Sequence, residues 1–341
     1  MKEKIKLFSF QEALDESNEY HKTKHLLLGN GFSIAWDNDI FSYKSLYESV
    51  NFQDKPRLEE VFKALNTTDF EYVLRTLNDL SKIYAIYSTD IGINEIKEDY
   101  KYLQELLIKT ITENHPPHPF KLTNDEKISC RKFLVHFDHV YTTNYDILLY
   151  WVLMFEEFDK ENEINFKKID DGFREGLEQD LEYVTWEVEN TGKQNTFYIH
   201  GALHLFDNKY EFQKYAWNRT GVSLIEQIRE ALSNNKYPMF VSEGEWKQKK
   251  ERIQHNGYMN RCLRSLNSIG GCLFIYGFGF NENDEHITTG ILKNKNIKRI
   301  FVSIHGDIES DNNKRIVKIF TDLDLLNKIT FYDSSTANIW R

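Results

Sequence analysis

The chain has 341 residues, of which 40% are hydrophobic and 28% charged, so it can bury a substantial core. Its formal net charge of −10 argues against a broad phosphate-binding surface, and we expect no direct nucleic-acid binding. No window of about 18 uninterrupted apolar residues, no secretory signal and no CxxC pair occurs, so we expect a cytoplasmic protein without a membrane span, a disulfide framework or a four-cysteine zinc site.

The first part of the chain predicts a short strand followed by a long helical region. Helical spacing covers residues 7–20, and an apolar run predicts a strand at 25–28. Residues 69–80 carry apolar side chains at intervals of three and four, which is typical of a helix, and 99–111 repeat this pattern. We expect residues from about 34 to about 132 to form a helical lobe inserted after the first strand.

Strands and helices alternate through the remainder of the chain. The further predicted strands lie at 137–142, 197–199, 237–242, 272–276 and 299–304. Residues 162–195 predict irregular connections, and about 245–268 predict one long charged helix as a further helical insertion. The alternation predicts a doubly wound, Rossmann-like α/β fold, with a parallel sheet from about 25–33 and 136–305 in one domain spanning 1–341.

Four of the predicted strands end in short polar or glycine-containing segments. These segments supply Gly29, Asn30, Gly31 and Ser33; Thr142, Asn144 and Asp146; His200 with Gly201; and Gly277 and Gly279, followed by Asp284 and Glu285. Ligands of open α/β sheets bind beyond the carboxyl ends of the strands, so we expect these residues to meet at one site.

Each segment has a chemical and a purely structural interpretation. Residues 29–33 can cradle a pyrophosphate with backbone N–H groups or form an ordinary strand-to-helix turn. Asn144 and Asp146 can contact a ligand or form an Asx-turn with a helix cap. His200 suits proton transfer near neutral pH but can also be a hydrogen-bonded structural histidine. Asn283 or Asp284 can cap the helix after the last glycine loop.

We expect no metal centre. Three histidine pairs have spacings that a metal could use, but no cysteine or carboxylate set completes them. These pairs are His21/His25, His115/His118 and His136/His139. The basic run at 247–252 is interpreted as a solvated helix face.

The four segments, in this order, resemble the sirtuin (silent information regulator) family, and more closely its bacterial defence-associated NADase branch. The family's phosphate loop, Thr-x-Asn-x-Asp motif, catalytic His-Gly and late glycine loop correspond here to 29–33, 142–146, 200–201 and 277–285. Unlike sirtuin deacylases, the sequence lacks the zinc ribbon of two CxxC pairs, and Ile34-Ala-Trp-Asp37 replaces the Gly-Ile-Pro-Asp-Phe-Arg loop. Both departures disfavour protein deacylation.

The resemblance implies NAD as the substrate. Asn144 would hold a ribose hydroxyl or the attacking water, Asp146 would orient the nicotinamide carboxamide, and His200 would act as general base. Gly29, Gly31 and Ser33 would hold the pyrophosphate, and Gly277, Gly279 and Asp284 or Glu285 would serve the adenosine half. Asn30 and Thr142 are also implied to bind NAD.

The function implied is an NAD glycohydrolase that releases nicotinamide and ADP-ribose, as a regulated effector that depletes NAD in antiphage defence. Cyclisation and base exchange stay open as alternatives to hydrolysis. A non-catalytic NAD or ADP-ribose sensor subunit is the second possibility, and an NAD-dependent protein deacylase is the third. Because unregulated cleavage would poison the host, we expect control by a regulatory or sensor protein partner, by homo-oligomerisation or by a small-molecule trigger.

Overall fold

A computed structural model of the chain describes residues 5–87, 92–165, 167–175, 182–208, 211–216, 221–241, 245–322 and 325–341. Its strands are β1 (Leu7–Phe8), β2 (Lys24–Leu28), β3 (His139–Thr142), β4 (Phe173–Arg174), β5 (Tyr183–Trp186), β6 (Thr196–Tyr198), β7 (Leu205–Asp207), β8 (Phe212–Tyr215), β9 (Gly271–Tyr276), β10 (Ile297–Ile304) and β11 (Ile329–Asp333). Its α-helices are α1 (Phe10–Tyr20), α2 (Gly31–Ile34), α3 (Asn38–Phe41), α4 (Tyr43–Ser49), α5 (Pro56–Ala64), α6 (Phe70–Tyr87), α7 (Gly92–Asn114), α8 (Asn124–Leu134), α9 (Leu148–Leu153), α10 (Leu224–Ser233), α11 (Trp246–His255), α12 (Gly257–Ser268), α13 (Glu285–Lys293) and α14 (Asp311–Asp322).

Seven strands form a sheet in the order β1-β11-β10-β9-β2-β3-β6, and all its neighbouring strands are parallel. Counted from β2, the series β6-β3-β2-β9-β10-β11 has the 3-2-1-4-5-6 order of Rossmann-type sheets, with β1 added at one edge. The α/β fold with a doubly wound parallel sheet, predicted from the sequence, is confirmed.

The centre of this sheet is covered on both faces. All six residues of β9 are buried, and successive side chains of a strand point to opposite faces. The helix α1 packs against β9, β10 and β11, while Phe274 of β9 stacks on Phe301 of β10 with ring centroids 4.4 Å apart. The unbroken apolar run in β9 is therefore explained by burial in a parallel sheet.

The direction of strand addition reverses between β2 and β9. These two strands pair in register from Lys24 with Cys272 to Leu28 with Tyr276. From β2 the chain continues to β3 on one side, and from β9 it continues to β10 on the other. The carboxyl ends of β2 and β9 are therefore the switch point of the sheet, which is where such sheets bind ligands.

The chain between β2 and β3 is helical, as α2 to α8. The helix α6 begins after Asp69, whose side chain accepts hydrogen bonds from the N–H groups of Glu71 and Tyr72. Its apolar stripe is buried at Phe70, Val73, Leu74 and Leu77, but Leu80 is 43% exposed. None of the helices in the described residues is long and apolar enough to cross a membrane.

Two predicted features of the middle region are wrong. Residues 162–195, expected to be irregular, contain β4 and β5 of a four-stranded antiparallel sheet in the order β4-β5-β8-β7. Strands of two to four residues are too short to establish a pattern of alternation. The strand expected at 237–242 is reduced to one antiparallel bridge between Phe240 and Gly201, and residues 242–244 lie outside the described part of the chain.

The long helix expected at 245–268 is two helices, α11 and α12. The break falls at Asn256, whose backbone is extended and whose Oδ1 accepts a hydrogen bond from the Met259 N–H. An asparagine in this position caps a new helix rather than continuing the old one. The edge strand β1 and its neighbour β11 were also not predicted.

Candidate functional site

A cavity of about 660 Å³ lies at the carboxyl edge of the sheet, next to the ends of β2, β3 and β9 and beside the helical region. Its volume is within the range of about 300–1,000 Å³ that small-molecule sites occupy. Eight of the predicted site residues line it, namely Asn30, Gly31, Asn144, Asp146, His200, Gly277, Gly279 and Asp284. The structure therefore brings all four predicted segments to one cavity.

The remaining predicted residues do not line this cavity. Ser33 and Thr142 are buried next to it and bond to residues that do. Gly29 contacts the loop after β9. Glu285 is exposed in the first turn of α13, so the structure does not bring it to the site.

The two glycine loops pack against each other. The Gly29 N–H donates to the Tyr276 carbonyl at 3.0 Å, and the Gly31 N–H donates to the Gly277 carbonyl at 2.9 Å. A Cβ on Gly31 would lie 2.5 Å from the Gly277 Cα, and Gly277 has a φ of 64°. These glycines permit loop-to-loop packing, and the two N–H groups expected to cradle a pyrophosphate are already used by the protein.

Asn144 is held by a chain of hydrogen bonds behind the cavity wall. Its Nδ2 donates to the Ser33 Oγ at 2.9 Å, and the Ser33 hydroxyl donates to the Asp146 Oδ2 at 2.5 Å. The serine proton goes to the carboxylate, so the serine oxygen must accept from the amide nitrogen, which fixes the amide orientation. The Asn144 Oδ1 is then left buried without a hydrogen-bonding partner among the described residues.

Asp146 and Thr142 also perform the structural roles that their positions suggested. The Thr142 Oγ1 accepts from the Asn144 N–H at 3.0 Å, and the Asp146 Oδ1 accepts from the Leu148 N–H at 2.9 Å, at the start of α9. Burial raises the pKa of Asp146, against the hydrogen bonds from Ser33 and Leu148, which favour the carboxylate. Both interpretations of this segment hold together, because the turn that caps α9 also presents Asn144 to the cavity.

His200 follows β6 and is followed by a glycine with a φ of 75°. A Cβ on Gly201 would overlap the Met239 carbonyl oxygen, and Gly201 forms the bridge with Phe240. This glycine therefore allows close approach of another backbone segment, rather than of a ligand as expected.

The imidazole of His200 lies beside that of His286. Their Nε2 atoms are 3.0 Å apart, so one ring donates a proton and the other accepts it. Burial lowers the pKa of His200 well below its ordinary value, although the Asp284 carboxylate, 3.9 Å from Nε2, favours the charged form. Burial likewise lowers the pKa of His286 to about 4. Both rings are therefore neutral near pH 7.

The Asp284 carboxylate beside His200 belongs to a charged network with Lys249 and Glu71, two residues that the sequence did not single out as site residues. The Lys249 Nζ lies 2.6 Å from the Glu71 Oε2 and 3.3 Å from the Asp284 Oδ1. Burial raises the pKa of Glu71 to about 7. Burial would also raise the pKa of Asp284, but Lys249 and the two histidines hold it below its ordinary value. Asp284 occupies the cap position of α13 without a capping bond, because its side chain is used in this network.

The prediction that 247–252 form a solvated face is wrong at Lys249, which is 1% exposed. Lys249 and Ile253 are the buried residues of α11, and they lie four apart on one face of the helix. The four-residue spacing of Lys249 and Ile253 could have indicated from the sequence that Lys249 is on the buried face. Glu71 lies beside the apolar stripe of α6 without any comparable signal, and His286 directly follows the predicted acidic pair.

One group of side chains in the described residues has the spacing of a metal site. The donor atoms of His200, Asp284 and His286 all lie within 4.8 Å of one another. The same Asp284 oxygen is 3.3 Å from the ammonium of Lys249, which already supplies a positive charge there. The cluster is therefore neutralised by the protein itself, and we assign no metal to it.

A protein-family model described as "Domain of unknown function (DUF4917)" matches residues 26–340. The chain belongs to the DUF4917 family. The matched region of this DUF4917 chain contains the whole cavity wall described above.

No curated protein matches this DUF4917 chain. Among solved structures, it is similar to one titled "Sir2 bound to acetylated peptide", with 9% sequence identity and a TM-score of 0.36. That alignment covers 93% of this chain and 100% of the other. The fold assignment rests on the strand order of the DUF4917 chain itself.

Proposed function

We propose that this protein cleaves NAD to nicotinamide and ADP-ribose in the cavity beside β2 and β9. The observation that carries the proposal is the buried, unpartnered Asn144 Oδ1 in a cavity that His200 also lines. A buried acceptor without a partner costs free energy unless a ligand or water supplies a donor. A ribose hydroxyl or a nucleophilic water is such a donor.

The bond to be broken joins C1′ of the ribose to the ring nitrogen of nicotinamide. This nitrogen is cationic in NAD and leaves with the bonding electron pair as neutral nicotinamide, so no acid is needed. The water oxygen forms the new bond to C1′, and the water gives up one proton. The oxocarbenium-like transition state requires oriented polar groups around the ribose, which the fixed amide of Asn144 supplies.

His200 suits the acceptance of that proton. Its ring is neutral near pH 7 because burial lowers its pKa, and Asp284 lies close enough to stabilise the imidazolium that forms. The adjacent His286 Nε2, 3.0 Å away, can share that proton with the ring of His200. Loss of a general base typically slows a reaction about 10²–10⁴-fold.

The test is to incubate the purified protein with NAD and to quantify nicotinamide and ADP-ribose by chromatography. We expect turnover by the wild type, its near abolition in Asn144→Ala, and a fall of about 10²–10⁴-fold in His200→Ala. His118→Ala is the matched control, since His118 is exposed outside the cavity and its loss should leave turnover unchanged.

Calorimetry on the same proteins measures the binding of NAD and separates the proposed hydrolase from a non-catalytic sensor subunit. Binding without turnover by the isolated wild type is the silent state that the control proposed below requires. Binding without turnover in the assembled protein as well would contradict the proposed hydrolase and favour the sensor subunit. Turnover that persists within a few-fold in both Asn144→Ala and His200→Ala would contradict the assigned residues.

We also propose that the activity is controlled by a regulatory or sensor protein or by assembly of several copies. The reason is chemical, since continuous cleavage of NAD would deplete a central cofactor of the host. The role in antiphage defence rests on the resemblance in the sequence. A monodisperse monomer with full activity and no partner would contradict the proposed control.

A further inference from the structure

We propose that Lys249 is a positioning residue for His200 that acts through Asp284 and joins the helical region to the site through Glu71. This inference rests on the proposed role of His200 in NAD cleavage. Lys249 does not line the cavity, whereas both of its carboxylate partners do. It is therefore an ammonium group placed behind the cavity wall, in contact with two side chains of that wall.

The position of Lys249 requires both carboxylates. The side chain is 1% exposed, and a buried ammonium is very costly unless it is paired and hydrogen-bonded. Its Nζ lies 2.6 Å from the Glu71 Oε2 and 3.3 Å from the Asp284 Oδ1. One cation thus ties together α6, α11 and the start of α13.

The same network reaches the segment that carries Asn144. The Tyr145 hydroxyl lies 2.8 Å from the Glu71 Oε1, to which it can donate, and 3.0 Å from the Val241 carbonyl. The Tyr145 ring is stacked near that of His200, with centroids 6.5 Å apart. Glu71 of the helical region therefore contacts the segment of Asn144 directly and is connected to His200 through Lys249 and Asp284.

The pairing with Lys249 limits how strongly Asp284 acts on His200. The groups that face His200 are His286, Asp284, Lys249 and Tyr145, and of these Asp284 favours the imidazolium while Lys249 and His286 oppose it. Replacement of Lys249 by a neutral residue removes a positive charge that disfavours the His200 imidazolium. It also leaves the Asp284 carboxylate without its ammonium partner. An unshielded carboxylate within about 4–6 Å typically raises the pKa of a histidine by about 1–3 units.

The experiment is NMR of the full-length protein labelled at its histidines, with the His200 signals assigned by His200→Gln. We expect Lys249→Met to raise the pKa of His200 by about 1–3 units relative to the wild type. In the double variant Lys249→Met/Asp284→Asn the rise should disappear, because it acts through Asp284. Lys247→Met, an equal charge change at an exposed site of the same helix, should leave His200 unchanged.

The kinetic counterpart is the pH dependence of kcat/KM for NAD. The acid limb should move to higher pH in Lys249→Met by the same amount as the NMR titration. The KM should rise as well, because the Asp284 carboxylate on the cavity wall, no longer balanced by Lys249, repels the NAD phosphates. Lys249→Arg keeps the charge, so it should restore the wild-type profile even if the protein is less stable.

An unchanged His200 titration in Lys249→Met, or a shift that survives in the double variant, would overturn the inference. If Lys249→Met does not fold, Glu71→Gln and Lys249→Arg provide the comparison. The inference is supported if His200 titrates in Lys249→Arg as in the wild type and the hydrogen bond of the Tyr145 hydroxyl to residue 71 is lost in Glu71→Gln. Any other result overturns it. Since NMR needs no turnover, a protein that shows the shifts but never cleaves NAD would refute the proposed hydrolase alone.

Discussion

Asn144 owes its orientation to a single hydroxyl group. The Ser33 hydroxyl donates its proton to the Asp146 carboxylate, so its oxygen accepts from the Asn144 amide nitrogen. The amide oxygen of Asn144 is therefore the atom that stays free. Ser33 does not line the cavity and was expected to bind pyrophosphate. Its observed place gives it a different role, which is to keep the Asn144 oxygen available.

We predict that Ser33→Ala impairs both stability and catalysis. Two buried partners lose a hydrogen bond, so the free energy of unfolding should fall by about 1–3 kcal/mol. Misplacement of a catalytic group by about 1 Å costs on the order of 10²-fold in rate, so kcat should fall by up to this factor. The measurements are chemical denaturation and steady-state NAD cleavage.

Ser268→Ala is the control for this substitution, since Ser268 is exposed and its hydroxyl donates only to the Ser265 carbonyl. It should change neither quantity. A Ser33→Ala protein as stable and as active as the wild type would show that Asn144 needs no fixed orientation.

At the scale of elements, the loops after β2 and β9 form one unit at the point where strand order reverses. Two glycines on one loop and one on the other allow their backbones to touch, and no side chain fits between them. The sequence predicted a close approach of these glycines to a ligand, whereas the structure shows their close approach to each other, with Gly31 and Gly277 also lining the cavity. Spacing alone cannot distinguish contact with a ligand from contact with a neighbouring loop.

We predict that Gly31→Ala separates the two loops. The added Cβ would lie 2.5 Å from the Gly277 Cα, a backbone atom that cannot move aside by rotation. Overpacking of this kind typically costs about 1–3 kcal/mol, and the displaced loop should also reduce NAD cleavage. Thermal unfolding and activity should be compared with Gly192→Ala, where an added Cβ meets nothing within 4 Å. Equal melting temperatures for the two variants would contradict the close packing.

The sheet and the convergence of its motifs could be predicted from the sequence for one physical reason. Parallel strands gather their carboxyl ends at one edge, so residues such as Asn144 and His200, distant in sequence, must lie near each other. The rule does not apply to Glu71 and Lys249, which lie on helices. Which face of a helix turns toward the site depends on tertiary packing. The strand β4 could not be predicted because a segment of two residues shows no periodicity.

At the scale of the whole molecule, buried histidines make stability depend on pH. The His115 Nε2 accepts from the Ile147 N–H at 3.2 Å, so Nδ1 carries the proton and lies 3.0 Å from the Pro116 carbonyl. Burial lowers the pKa of His115 to about 4 from an ordinary value of 6.5. A second proton on the ring would remove the bond to Ile147 at the start of α9.

The sign of the effect follows from the two pKa values. Between pH 6.5 and about 4 the unfolded chain binds a proton at His115 that the folded chain does not. The stability is therefore fully present above pH 6.5 and is lost as the pH falls towards 4. From pH 8 to pH 5 this one residue should contribute a loss of about 2 kcal/mol.

We predict that His115→Gln reduces the acid sensitivity of folding. Urea denaturation at pH 8 and pH 5 should show a difference about 2 kcal/mol smaller than in the wild type. His118→Gln, at an exposed position three residues away, should keep the wild-type difference. The same pH dependence in His115→Gln and in the wild type would mean that His115 is charged or accessible in the folded protein.

The most direct test of the central proposal is the crystal structure of the His200→Ala variant grown with NAD. We expect intact NAD in the cavity at the ends of β2 and β9, with a ribose hydroxyl or a bound water about 2.5–3.2 Å from the Asn144 Oδ1. A cavity without NAD at saturating concentration, or NAD whose nicotinamide riboside lies away from Asn144, would contradict it.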